Sequence, residues 1–158
     1  MDHRSQVEEV KKTLLIIGLD DWVNATEAVG VARDVKAGRS PWEDLSPGSE
    51  CGIEREAMTR DRQIESEREA LPLAIEAIKE LVRDGLVRVG STTRDGFVAW
   101  GGSAREIEMR IDEAVKNVRY PMSIGDLFWL ENTPAGNRLG QEAFRATPEA
   151  WSYDTPPQ

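Results

Sequence analysis

Residue types suited to nucleophilic or metal chemistry are scarce in this chain of 158 residues. It has one cysteine, Cys51, and one histidine, His3. A nucleophile needs a neighbouring base that a third group orients, and His3 lies in a segment expected to form an N-terminal tail. A zinc site needs about four Cys, His or carboxylate ligands held together. The sequence therefore predicts no enzyme, no metal site and no cofactor.

Neighbouring carboxylates are the other candidates for chemistry, as at Asp20-Asp21 and Glu43-Asp44. Such pairs can transfer protons or hold a hard cation. An acidic chain forms such pairs by chance, however. The pair at 20–21 lacks the alternating ligands and the glycine of a calcium-binding loop, and negative charge is favourable where a helix begins. Gly101-Gly102-Ser103 precedes a helix, but it lacks a phosphate-binding lysine and is interpreted as a turn.

Net charge and hydropathy limit the classes of protein to which the chain can belong. The chain has 29 acidic and 20 basic residues, which gives a net charge of -9. A field of this sign repels phosphate backbones and attracts basic partners. No apolar run approaches the roughly 20 residues of a membrane helix, and the N-terminus lacks a signal-peptide core. We expect a cytoplasmic protein with a basic protein partner and no membrane association, for which nucleic acid is a disfavoured ligand.

Local patterns predict the elements of the first half. Apolar residues at helical spacing predict a helix over 6–18. A second helix runs to residue 37 and begins either at Asp20 or at Asn24, which can form a capping box with Glu27. Residues 38–52 are rich in Gly and Pro and predict a long loop. The charged stretch at 54–69 indicates a solvated helix or a partly disordered connector.

The second half has sharper boundaries. Ser66 and Glu69 can cap a helix that ends at Gly85, and strands at 86–89 and 97–100 then form a hairpin with a loop longer than two residues. Ser103 caps a further helix, a third strand follows at 127–130, and Thr133 precedes the last helix. The predicted fold is α+β, helix-rich, with about three antiparallel strands, in one domain over 1–146 with a tail at 147–158.

Two stretches resemble a known family. Residues 80–87, ELVRDGLV, resemble the junction of the third helix with the first wing strand in winged helix-turn-helix proteins. Residues 128–136, FWLENTPAG, are similar to the place where the last wing strand of MarR- and PadR-like regulators meets a helix. The resemblance implies a winged-helix-like domain, with an inserted helix where such proteins have a short loop.

One hypothesis is a non-enzymatic, acidic protein-binding module, such as an immunity protein, an antitoxin or an adaptor. Its charge suits a basic partner, and exposed aromatic residues suit an interface. The candidate surface comprises Asp20, Asp21, Trp42, Glu43, Asp44, Glu65, Glu67, Glu69 and Trp151.

The alternative hypothesis is the DNA-binding regulator that the resemblance implies. Its candidate contacts are Arg60, Arg62 and Arg68 before the third helix and Arg88 and Arg94 in the wing. A dimer reads a palindrome, so a homodimer belongs to this hypothesis. The first hypothesis is favoured because the reading helix starts with Glu65, Glu67 and Glu69, where base contacts call for Arg, Lys, Asn or Gln.

Overall fold

The computed structural model describes residues 1–42 and 59–152. This part of the chain has five α-helices and four strands, and the predicted helix-rich α+β class is confirmed with one strand more than expected. In chain order they are α1 (His3–Ile17), β1 (Val23–Asn24), α2 (Ala25–Lys36), α3 (Arg60–Arg83), β2 (Val87–Thr93), β3 (Gly96–Ala99), α4 (Ala104–Lys116), β4 (Trp129–Asn132) and α5 (Pro134–Arg145), followed by a 3-10 helix (Pro148–Ser152).

Three of the side-chain caps at the helix starts were among the sequence predictions. The Asn24 side chain accepts a hydrogen bond from the Glu27 backbone N–H at 3.0 Å, so α2 starts at Ala25 and the alternative start at residue 20 is wrong. Ser103 and the residue three positions later form the predicted capping box of α4. Thr133 caps α5 as predicted. Each cap satisfies N–H groups that the first helical turn leaves without partners.

Helix α3 begins earlier than the sequence predicts. Thr59 is its N-cap, and the helix continues without interruption for 24 residues. The predicted cap Ser66 therefore lies inside the helix, as does Pro72. The charged residues before Ser66 are mostly good helix formers, and α3 packs against α2 and α1.

The sheet is antiparallel with strand order β1-β4-β2-β3. Thr93 pairs with Gly96, so Arg94 and Asp95 alone join β2 to β3, and the prediction of a longer loop is wrong. Gly96 has a φ of 116°, a conformation that glycine adopts readily. Strand β4 lies between β1 and β2. Strands β2 and β4 are therefore neighbours in the sheet, and β3 and α4 separate them along the chain.

The core lies between the sheet and the helices. Its fully buried side chains come from α1 to α4, from β1 and from the segment before β4, and include Leu14, Ile78, Leu81, Ile111 and Phe128. Helix α5 docks closely on this body, since a Cβ at Gly136 would collide with the Leu86 carbonyl oxygen. Among the residues that the structure describes, no helix is long and apolar enough to cross a membrane.

Candidate functional site

Helix α4 pairs with the basic residues in the second half of α3. Lys79 lies 2.5 Å from the Asp112 carboxylate and Arg83 lies 2.6 Å from the Glu108 carboxylate. On the inner side of α4, Ile107 and Ile111 are buried in the core. Two cations of α3 are therefore paired with carboxylates of α4.

The first half of α3 has exposed groups of both signs. Arg60, Arg62, Glu65 and Glu69 are exposed, as predicted for both hypotheses. The Arg68 guanidinium lies over the Tyr120 ring, 5.2 Å from its centroid. Burial is the main reason that the pKa of the Tyr120 hydroxyl lies above its ordinary value. These arginines alternate with carboxylates and do not form a continuous positive strip.

Glu67 is a correction to the predicted partner surface. Its side chain is turned into the molecule and the residue is only 5% exposed. Its carboxylate accepts hydrogen bonds from the Met122 backbone N–H at 2.8 Å and from the Gln63 side-chain amide at 3.2 Å. Glu67 therefore holds the segment before β4 against α3 and does not face a partner.

The two tryptophans proposed for an interface are also structural. Trp42 is 8% exposed and belongs to a small cluster with Ile16 and Phe144. Trp151 is half-buried, packs against the same cluster, and donates its indole N–H to the Phe144 carbonyl at 2.6 Å. Together they fasten the C-terminal end of α5 and the first part of the predicted tail to α1. Glu43 and Asp44 lie outside the described residues.

The predicted wing arginines are in different environments. Arg88 on β2 pairs with Glu131 on β4 across the sheet. Arg94 is exposed in the hairpin loop beside Asp95. One of the two predicted phosphate contacts is thus already engaged by a carboxylate.

A surface that sequence reasoning missed lies on the outer side of the sheet. We call it the aromatic face, and it consists of Trp22, Phe97 and Trp129, all partly exposed. The rings of Trp22 and Phe97 lie 6.1 Å apart, and the Trp22 indole N–H donates to Glu131 at 3.0 Å. Strand alternation puts Trp129 on the same side as Glu131. No local sequence signal marks this face, since Trp129-Leu130-Glu131-Asn132 does not alternate between apolar and polar residues.

An open pocket of about 510 Å³ adjoins this face. Its walls include Asp20, Asp21, Trp22, Arg88 and Glu131. Both aspartates are exposed, as the partner hypothesis expected. Carboxylates beside an indole ring suit a cationic group, through charge pairing and through the ring face.

The described residues contain no group of three or more His, Cys, Asp or Glu side chains that could hold a metal ion. Comparison with known proteins gives no family either: no family model matches the chain, and neither a curated protein nor a solved structure is significantly similar to it.

Proposed function

We propose that this chain is a non-enzymatic protein-binding module for a positively charged partner, in the manner of an immunity protein, an antitoxin or an adaptor. The observation that carries the proposal is that α4 lies against α3 and pairs with Lys79 and Arg83, while the aromatic face and Asp20-Asp21 point outward. We assign the module to the cytoplasm, in line with the sequence.

The scaffold we propose is winged-helix-like. In support, α3 runs into β2 through Gly85, and β4 runs into α5 through Thr133 and Pro134, at the two junctions that the resembling stretches match. Strand β4 then takes the place of the second wing strand, and β3 with α4 is the insertion. Because the same fold serves many functions, the scaffold leaves the choice of partner to the surface.

The charge of α3 argues for a protein partner over DNA. DNA affinity at ordinary salt comes mainly from cations that displace counterions. The first half of α3 places Asp61, Glu65 and Glu69 among its three arginines. Residues 43–58, which lead directly into α3, add five acidic residues and one arginine. This end of the helix therefore lacks a net positive charge.

The aromatic face and its acidic border suit a protein partner. Tryptophan and other aromatic side chains supply much of the binding energy in protein interfaces. Asp20 and Asp21 lie beside Trp22 and add the charge that accelerates encounter with a basic protein. The border and the rings lie on one side of the sheet, which allows one partner to contact both.

Affinity capture from a lysate of the source organism tests this function. The full chain is compared with Asp20→Asn/Asp21→Asn and with the matched control Glu106→Gln/Glu113→Gln, which removes two charges from α4. We expect the full chain and the control to retain one basic protein, and the aspartate variant to retain at least about tenfold less. Capture of no protein above a bead-only background would overturn the proposal.

A DNA-binding regulator remains the second candidate, favoured by the junction of α3 with β2 and by exposed Arg60, Arg62 and Arg94. It predicts saturable binding of labelled duplex DNA that weakens steeply as salt is raised. Our proposal predicts no change in fluorescence polarisation up to about 100 µM protein at low salt, where even non-specific DNA binders associate.

A further inference from the structure

Among the strands that the structure describes, β3 is an edge of the sheet. It pairs with β2 on one side, and the strand order leaves its other side at the sheet boundary. Its four residues, Gly96–Ala99, include neither a charge nor a proline. Edge strands in soluble proteins are usually protected by such residues, because their outward backbone groups readily pair with another chain.

The register identifies the outward groups. The Trp100 backbone N–H donates to the Val89 carbonyl at 2.8 Å, and Val98 pairs with Ser91. Since ladder bonds alternate along an antiparallel strand, Val98 faces β2 with its backbone. The N–H and C=O groups of Phe97 and Ala99 therefore point away from the sheet, as a fifth strand would require.

The side chains around this edge suit a basic extended segment. Val98 is 53% exposed, and Phe97 lies beside the Trp22 ring on the aromatic face. Asp95 precedes the strand, and Asp20 and Asp21 precede the tryptophan that covers Phe97. Arg94 in the hairpin loop and Arg110, which lies over the Trp100 ring after the strand, bring two positive charges against the three carboxylates of Asp20, Asp21 and Asp95.

We propose that the partner adds an extended, lysine- or arginine-bearing segment to β3 as a fifth strand. The segment's backbone pairs with Phe97 and Ala99, its apolar side chains pack on Trp22 and Phe97, and its cations meet Asp20, Asp21 and Asp95. Strand addition combines main-chain affinity with side-chain specificity in this way. This inference rests on the proposed function and names the mode of binding.

Charge distinguishes this occupant from a second copy of the chain. Each copy has a net charge of -9 and would bring the same acidic border to a paired edge. Like fields oppose association, whereas a cationic segment is attracted.

The probe is an acetylated and amidated decapeptide with two lysines at each end of six alternating valine and threonine residues, so that the valines can meet the rings while the terminal lysines reach the aspartates. Two matched peptides replace lysine with glutamate or N-methylate alternate backbone amides. At saturation we expect the lysine peptide to slow amide hydrogen exchange at Phe97 and Ala99 by at least about tenfold, and the two matched peptides to leave it unchanged. Protection located elsewhere, or no binding at about 1 mM peptide, overturns the inference.

Substitutions test whether the peptide binds at the outer edge of β3. Ala99→Pro removes an outward N–H while leaving the bonds to β2, and proline is tolerated on edge strands. It should weaken peptide binding about tenfold, whereas Leu139→Ala on α5 should not change it; circular dichroism verifies that both fold. If Phe97→Thr, which keeps the backbone donors, abolishes binding while Ala99→Pro does not, ring packing replaces strand addition.

The capture experiment separates this inference from the proposed function. If a basic protein is captured equally by the full chain and by Ala99→Pro, the function stands and strand addition fails. If sedimentation shows a dimer that Ala99→Pro dissociates, the occupant of β3 is a second copy and the inference fails.

Discussion

The two sides of this domain use their charged and aromatic residues differently. Along the second half of α3, charged groups meet partners within the chain, from Arg4 and Lys11 of α1 on one side and from α4 on the other. On the outer side of the sheet, aromatic rings remain partly exposed next to carboxylates. The second half of α3 thus contributes to the cohesion of the fold, and the sheet side leaves partly exposed the groups that the proposed interface requires.

The wing-like arrangement that we propose gives this difference a further meaning. In that arrangement, α3 would be the helix that reads DNA, and β3 with α4 would be the insertion. Lys79 and Arg83 of α3 are paired with carboxylates of α4, and Phe97 of β3 belongs to the aromatic face. Under the proposal, one insertion would therefore both engage the helix and supply the edge strand.

The largest effect is expected where α4 is anchored. Ile111 is fully buried, so Ile111→Ala should lower the free energy of unfolding by about 2–5 kcal/mol. Met109, which is 62% exposed on the same helix, provides the control: Met109→Ala should stay within about 0.5 kcal/mol of the parent in urea denaturation. Equal effects of the two substitutions would mean that α4 is not held through its inner face.

Glu67 offers the next largest effect. Glu67→Ala leaves the Met122 N–H buried without its acceptor, which should cost about 1–3 kcal/mol of stability by urea denaturation. Glu67→Gln keeps an oxygen acceptor of the same reach and should recover most of the loss. Equal stabilities of the Glu67→Ala and Glu67→Gln variants would contradict a hydrogen-bonding role for Glu67.

The sequence predicted the features of the fold that depend on residues close together in the chain. The caps at Asn24, Ser103 and Thr133 were predictable because each involves residues within one helical turn. The end of α3 at Gly85 followed from the same local chemistry, since that residue has a φ of 72°. The helix-rich α+β class followed from these local boundaries.

Long-range pairing set the limit of the sequence predictions. Glu67 was assigned to the surface because its buried partner, Met122, lies far along the chain. The place of Trp22, in a helix or before one, was left open because its partner Glu131 lies on a distant strand. Trp42 and Trp151 were assigned to an interface because neither sequence segment reveals that the two join one cluster. Exposure of Asp20 and Asp21 was predicted, because charged residues in a turn before a helix are normally solvated.

On the sheet side, Trp22→Phe should have a smaller effect on folding. It keeps a ring against Phe97 and loses the indole N–H bond to Glu131, for an expected cost of about 1 kcal/mol. Thermal or urea unfolding measures it. A loss comparable to that of Ile111→Ala would show that Trp22 serves mainly the core, and would weaken its place in an interface.

The smallest effect is expected in the network around Glu80. The hydrogen bond from Arg4, followed by that from Lys11, holds the pKa of the Glu80 carboxyl below its ordinary 4.5. A lowered pKa in the folded state means that the charge stabilises the fold above pH 4.5 and that this contribution disappears as the pH falls further. Glu80→Gln should cost about 0.5 kcal/mol at pH 7, and urea denaturation should show the difference narrowing in acid. A difference that grows in acid contradicts this assignment.

The affinity of the captured partner for variants on the two sides tests the central claim most directly. Trp22→Ala alters the sheet side, and Glu65→Gln/Glu69→Gln alters the exposed start of α3. Isothermal titration calorimetry measures both affinities. Trp22→Ala should weaken binding at least about tenfold, as expected for an interface tryptophan. Glu65→Gln/Glu69→Gln should leave the affinity within about twofold of the parent. The reverse pattern, with binding lost from α3 and retained without Trp22, would contradict the account.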